Sequence, residues 1–321
     1  AGLLNDLWKY SPATDTWTWI GGAKNPSQAG VYGTQGVEST ANFPGARSAA
    51  HAWIDNSGNF WLFGGWGYGA SGLGRLNDLW KYDVSTSQWT WVAGSNGVNA
   101  TSVYGTLRVE SAIGLPGARV SGLTWTDSSG DLWLFGGDGF AASASGRLND
   151  LWKYSMSSGH WTWMSGSDVP GAFGTYGTYR IENAANMPGA RSESACGVDI
   201  HGNLWMHGGH GNAASTSGML NDLWSFNIAT GNWTWMNGSD VAHREAVFGT
   251  LGIESPENAP AAAYLPISWT DADGNLLIFG GFGEAITIRW ELLKDMWRCS
   301  IGNNPPTPIC RRSEEHTSEL Q

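Results

Sequence analysis

The sequence predicts an all-β protein made of stacked copies of one four-stranded unit, and three observations carry that expectation. First, Leu-Asn-Asp-Leu-Trp begins at Leu4, Leu76, Leu148 and Leu220, a step of 72 each time, and a decayed copy, Leu293-Lys-Asp-Met-Trp297, follows after 73. Second, other motifs recur in step with it. Trp-Thr-Trp begins at Trp17, Trp89, Trp161 and Trp233, and Pro-Gly-Ala-Arg ends at Arg47, Arg119 and Arg191. A Gly-Gly pair closes an apolar run at Gly64–Gly65, Gly136–Gly137, Gly208–Gly209 and Gly280–Gly281. Third, apolar residues alternate with period two, and no helical periodicity runs over a useful length. A fixed period of this size marks stacked copies of one supersecondary unit.

Each unit reads as four antiparallel strands. In the second full copy the first strand runs from Ser121 to Thr126 and contains Trp125. A short turn, Asp127–Asp131, supplies Gly130 where a positive φ is needed and leads into Leu132–Gly137. The third strand, Leu148 to Tyr154, places Leu148, Asp150, Trp152 and Tyr154 on one face. The fourth is Trp161–Met164, whose two indoles share a face. About 26 residues separate it from the next Arg191. Their length and their Val/Thr-Tyr/Phe-Gly-Thr pattern recur, which predicts an ordered excursion anchored by Tyr32, Tyr104, Tyr176 and Phe248.

Composition removes several function classes. The 321 residues include 46 Gly and 21 Trp, with 17 Lys+Arg against 28 Asp+Glu. Charged residues make up 14%, below the roughly 25% of ordinary domains. The 41% hydrophobic content suffices for a large core and excludes disorder. A net charge of −11 without a Lys/Arg cluster argues against nucleic acid or an anionic membrane as partner. No apolar run reaches the roughly 20 residues of a membrane span. Three cysteines make no disulfide framework and lack metal-ligand spacing, although Cys299 and Cys310 could pair in an oxidising compartment.

Strand, Gly-Gly, Asn-Asp-Leu-Trp-x-Tyr and a following Trp together resemble the kelch-repeat family, over nearly the whole chain to about Cys299. The resemblance implies a β-propeller with four-stranded antiparallel blades. Kelch units run about 50 residues, and the excess here lies in the excursion. Four first strands and five third strands leave three complete blades, so the expectation is an incomplete arc of a larger propeller, unless the N-terminal strands pair with the last ones. Residues 1–300 are assigned to blades and 301–311 to a linker or reading-frame scar. Residues 312–321 match the conceptual translation of a sequencing adapter, whose removal leaves a net charge of about −9. The start just ahead of a repeat in progress reads as a fragment.

The recurring tryptophans read as core, each ring contributing about 4–6 kcal/mol on burial. Trp66 and Trp290 break the repeat and could equally be exposed platforms. The pairs Asn5-Asp6, Asn77-Asp78, Asn149-Asp150 and Asn221-Asp222 read as caps of the turn entering the third strand. The turns at Asp55 and Asp271 lack the ligand loop of a calcium site, so no metal is assigned. Arg47, Arg119 and Arg191 each follow a glutamate by nine residues, Glu38, Glu110 and Glu182, and are expected to pair with it. The fourth unit keeps Glu254 but has Ala263 in place of arginine.

Within the resemblance, galactose oxidase sets the standard for catalysis: two Tyr, two His and a Cys cross-linked to one Tyr. The nonrepeating candidates here are Cys196, His207, His210, Tyr179 and Tyr264. His207 replaces a phenylalanine (Phe63, Phe135, Phe279) and reads as a buried histidine. No catalytic constellation emerges and no cofactor is assigned. The reading is a noncatalytic module that binds a protein or glycan, outside a bacterial cell, its oligomeric state left open. A fragment of a copper-radical or other carbohydrate-active enzyme is the alternative.

Strand alternation sends the short turns to one face and the long connections to the other. Differences between copies fall on the long-loop face, in the loops Trp66–Arg75, Asp138–Arg147 and His210–Met219. Its expected ligand-contacting residues are Trp66, Tyr68, Asp138, Phe140, His210 and Phe282, together with Arg47, Arg119 and Arg191, because kelch-like proteins often present such arginines near the axis. For the scaffold, Trp89→Ala should cost about 3–5 kcal/mol in urea unfolding. A loss under about 1 kcal/mol would put that indole on the surface.

Overall fold

The computed structural model describes residues 2–284, 289–301 and 309–312. Every regular element among them is a β-strand, and all pairings are antiparallel. No helix long and apolar enough to cross a membrane occurs among the described residues.

A two-stranded sheet, β1 (Leu7–Ser11) and β2 (Thr16–Gly21), is followed by three sheets of one design. The first holds β3 (Arg47–Ser48), β4 (His51–Ile54), β5 (Phe60–Tyr68), β6 (Leu73–Asp83) and β7 (Gln88–Ala93). The second holds β8 (Arg119–Val120), β9 (Leu123–Thr126), β10 (Leu132–Phe140), β11 (Ser145–Tyr154) and β12 (Trp161–Ser165). The third holds β13 (Arg191–Ser192), β14 (Ala195–Val198), β15 (Leu204–Asn212), β16 (Ser217–Asn227) and β17 (Asn232–Asn237). The last unit is split where its long strands break. β18 (Ala263–Tyr264), β21 (Phe282–Glu284) and β22 (Arg289–Leu292) form one part. β19 (Ile267–Thr270), β20 (Leu276–Phe279), β23 (Met296–Ser300) and β24 (Ile309–Arg312) form the other. Among the described residues the N-terminal pair β1–β2 forms its own sheet and does not pair with the last strands.

Three local features depart from the expected strand plan. The first strand is broken by a corner at Ser121, so it comprises β8 and β9. The second and third strands run on past the Gly-Gly pair, which forms a bulge between Phe135 and Gly137, and they stay paired as far as Phe140↔Ser145. The expected Asp138–Arg147 loop is therefore mostly strand, and Trp66–Arg75 and His210–Met219 behave alike. Finally, Ile309–Arg312 is strand rather than linker. It pairs with β23 as the outer strand of its sheet, and that strand includes Arg312, the first residue of the suspected adapter.

The tryptophans hold the sheets together as their repetition suggests. Trp80, Trp152 and Trp224 are fully buried, as are Trp161 and Trp233. Their rings interlock with the excursion: Tyr104 meets Trp152 at 5.2 Å and Trp163 at 4.9 Å, and Tyr32 and Tyr176 repeat the arrangement. Phe248 plays the same part against Trp297 at 5.7 Å. In the two-stranded sheet, with no inner strands beside it, Trp17 is 66% exposed and Trp8 is also exposed.

Register explains the last strand. In the complete sheets the third and fourth strands face each other through an aromatic pair: Tyr82↔Trp89, Tyr154↔Trp161 and Phe226↔Trp233. In the last sheet the same position is Cys299↔Cys310, and the two are disulfide-bonded and buried. Asn258 donates to the Cys310 carbonyl as Asn42 and Asn186 do to those of Trp89 and Trp233. A covalent bond thus stands in for ring packing. Thiol titration of the unfolded, unreduced protein should find only Cys196, and Cys299→Ser should cost about 2–5 kcal/mol. Three reactive thiols would contradict the pairing.

Candidate functional site

The excursion and the third strand build a buried ionic centre in each complete sheet. Arg119 donates from both terminal nitrogens to Asp150 at 2.7 and 2.8 Å, and to the carbonyls of Gly117 and Gly136. Tyr104 and Trp152 donate to the same carboxylate at 2.9 and 2.7 Å. Arg47–Asp78–Tyr32 and Arg191–Asp222–Tyr176 repeat the arrangement. The aspartate holds each guanidinium charged against the opposing effect of burial, and burial with the nearby carboxylate pushes each tyrosine well above its usual range.

This geometry corrects three expectations. The arginines do not pair with the glutamate nine residues earlier; Glu38, Glu110 and Glu182 instead meet Thr86, Ser158 and Asn232 at the outer turns. Nor do Arg47, Arg119 and Arg191 contribute to a ligand-contacting face, because Arg119 and Arg191 are fully buried and Arg47 nearly so. In the complete sheets the Asn-Asp pairs, too, lie within the third strand rather than capping its turn, whereas Asn5-Asp6 precedes β1. Asn149 reaches the Pro188 carbonyl at the entrance to the next sheet and accepts from the Ser167 main chain.

The other predicted residues, Trp66, Tyr68, Asp138, Phe140, His210 and Phe282, form a row on the strands beyond the Gly-Gly pairs. Its framework is the corner in each first strand, where Ala49, Ser121, Glu193 and Leu265 hold left-handed φ values of 51, 55, 61 and 56°. The strain is met by a main-chain relay across sheets: Ser121 N–H to Ala49 C=O, Glu193 to Ser121, and Leu265 to Glu193. Beside it run the pairs Ser48↔Trp66, Val120↔Asp138, Ser192↔His210 and Tyr264↔Phe282.

Side chains then reach from one sheet to the next. Arg75 donates to Asp138 at 2.9 Å and lies 6.0 Å from the centre of the Phe140 ring. Arg147 lies 2.6 Å from Nδ1 of His210. An arginine can only donate there, so His210 is neutral with its proton on Nε2. Burial, Arg147 and His243 all lower its pKa. His210 also packs against Tyr264 at 5.7 Å, and Tyr264 against Phe282 at 5.5 Å. Trp66 is 42% exposed, and Tyr68 is half-buried on the same hairpin. Half-buried Glu193 lies at the corner beside these residues, its pKa raised chiefly by burial, with Arg147 opposing and Asp138 adding. Glu193, Arg75 and Arg147 were not foreseen as site residues. For Glu193 the signal was present, since it breaks the series Ala49, Ser121, Leu265.

The other nonrepeating candidates do not converge. Tyr179, on the excursion, meets Trp235 of β17 edge-to-face at 4.9 Å. Cys196 lies in an inner strand, bonded to Thr124 and Ser268, with burial pushing its thiol up to about 11. His207 is buried. Trp290 has side-chain placement outside the described residues. No group of three or more His, Cys, Asp or Glu side chains that could hold a metal occurs among the described residues. A groove of about 760 Å³ lies away from this face, between β1–β2 and the adjoining sheet. Its lining includes Leu7, Trp53, Phe60, Trp61 and Trp125. No protein-family model matches the chain, and no curated protein matches it.

Two buried histidines make a pH prediction. His51 and His207 have their pKa lowered from 6.5 to about 4, burial being the main cause. The unfolded chain therefore binds the proton first. Stability should be full above pH 6.5 and fall toward pH 4, by up to about 3 kcal/mol for each ring. Urea unfolding across that range should show the slope, and His207→Phe should remove its share. A flat profile would contradict the assignment.

Proposed function

We propose that the chain is an arc of a kelch-type β-propeller that serves as a noncatalytic binding module for a protein or glycan, in an extracellular bacterial setting. The observation that carries this reading is the separation of constant from variable residues. In the three complete sheets much of what recurs every 72 positions is buried: the Arg–Asp–Tyr centres and Trp80, Trp89, Trp152, Trp161, Trp224 and Trp233. Differences between copies fall mainly in the segments beyond the Gly-Gly pairs, where they pair across sheets as Arg75–Asp138 and Arg147–His210. A scaffold made of identical units can discriminate only through such differences. The mixture of an exposed indole, paired charges and half-buried aromatic rings suits the partly polar contacts of protein or sugar recognition. The propeller reading draws support from the antiparallel four-stranded units and from first strands that lie beside one another, where Thr124 and Thr126 donate to the carbonyls of Ala52 and Ile54.

The test is a screen on a glycan array and a displayed peptide library, followed by mapping with hydrogen exchange. Protection is expected at Trp66–Arg75, Asp138–Arg147 and His210–Met219. Trp66→Ala and Asp138→Ala should each weaken binding about tenfold or more, as central contacts do. Ser129→Ala, in a short turn on the opposite face, should leave it unchanged. Protection at Asp55–Asn59 or Asp127–Asp131 instead would overturn the proposal.

A further inference from the structure

The two-stranded sheet leaves an open strand edge beside an apolar groove. In each complete sheet the third strand lies between the second and the fourth. Its counterpart β1 pairs with β2 on one side and, among the described residues, with no strand on the other. Trp8 and Tyr10 of β1, and Trp17 and Trp19 of β2, are all exposed, whereas Trp80, Tyr82 and Trp89 at the same positions of the first complete sheet are buried. An edge with unpaired N–H and C=O groups is a template for another strand.

The groove of about 760 Å³ is bordered by Asp6, Leu7, Phe60 and Leu62 among others. Between complete sheets the corresponding surface is covered. Leu132 and Leu134 are fully buried in a cluster with Trp53, Trp61 and Phe63, which belong to the first and second strands of the preceding sheet. Leu204 and Met206 cluster in the same way with Trp125, Trp133 and Phe135. Their counterparts at the groove remain open to solvent: Phe60 is 38% exposed and Leu62 partly so. Charge tells the same story. Asp78, Asp150 and Asp222 each accept from an arginine of the first strand of their own sheet. Asp6 accepts from the Trp8 indole alone among the described residues. The site therefore suits aromatic and aliphatic side chains together with one guanidinium.

We propose that the open edge of β1 and this groove bind a β-hairpin presented by another protein, with an arginine opening its first strand and large apolar side chains on its second. The second strand adds to β1 through main-chain hydrogen bonds, its side chains cover Phe60 and Leu62, and the arginine meets Asp6. A second copy of this chain is the poorer occupant. Its three arginine-bearing hairpins are built into its own sheets, and its fourth carries Ala263 instead.

The probe is residues 117–140 of this chain, which hold Arg119 and β8 to β10, joined to a soluble carrier protein. In the register of the complete sheet its Trp133, Leu134 and Phe135 would face Lys9, Trp8 and Leu7. Fluorescence anisotropy against the whole chain should show one probe bound per chain, with hydrogen-exchange protection at Leu7–Ser11. Asp6→Asn should weaken binding about tenfold or more. A probe with Arg119→Met should bind more weakly from the start and respond little to Asp6→Asn. Ultracentrifugation of the chain alone should find a monomer. Absence of saturable binding, protection elsewhere than β1, or equal response of both probes to Asp6→Asn would overturn the proposal. So would a dimer of the chain closed through β1, which would make a second copy the occupant.

Discussion

The buried arginine–aspartate pair is the constraint around which each unit is arranged. Taking both charges out of water costs several kcal/mol per ion unless their hydrogen-bonding groups are met. Arg119 and Asp150 are fully buried, so those partners must come from the protein. They come from three separate stretches of chain: the Gly117–Arg119 segment, the Gly136 bulge, and the excursion that delivers Tyr104. Each stretch must arrive together with the others, which accounts for a repeat length that does not drift. Gly117 shows how tight the approach is. A Cβ there would stand 2.0 Å from the Phe140 carbonyl oxygen, so the residue preceding Ala118-Arg119 has to be glycine.

The same constraint explains why the last unit is different. Arginine, tyrosine and the glycine before the arginine are lost together, as Ala263, Phe248 and Ala261, which is the behaviour of one mechanical part rather than three independent residues. In exchange Asp295 receives Arg312 from the outer strand, and a disulfide secures that strand where the other sheets use an aromatic pair. Elsewhere, the inner strands are coupled through main-chain bonds at the left-handed corners, and these bonds tolerate any side chain whose backbone can hold the conformation. Glu193 can therefore occupy a position that is Ala49 or Ser121 in the neighbouring copies without disturbing the stack.

Much of this was legible in the sequence because it recurs. The period, the strand count per unit, the buried tryptophans and the packing of Tyr32, Tyr104, Tyr176 and Phe248 follow from repetition and alternation alone. What escaped were partnerships set by three-dimensional closure. Glu38 lies nearer to Arg47 along the chain than Asp78 does, yet the antiparallel return of the third strand brings Asp78 to the guanidinium. The Gly-Gly pair reads as a strand end, whereas bulging lets the strands continue and converts a loop into a hairpin. Ile309–Arg312 carries no tryptophan, so the outer strand was invisible until Cys310 was seen in register with Cys299. The long-connection face was inferred from strand alternation, but its cross-sheet contacts Arg75–Asp138 and Arg147–His210 join residues 63 apart, a spacing that no motif announces.

A double-mutant cycle on Arg119→Met and Asp150→Leu, measured by urea unfolding, tests the central role of the ionic centre most directly. Each single change strands a buried charge and should cost about 3–5 kcal/mol. Removing both strands neither, so the double variant should be more stable than the sum of the two losses implies, with a coupling of about 1–3 kcal/mol. Losses that add to within about 0.5 kcal/mol would show that the two residues act independently and that the repeat is held by its aromatic packing alone.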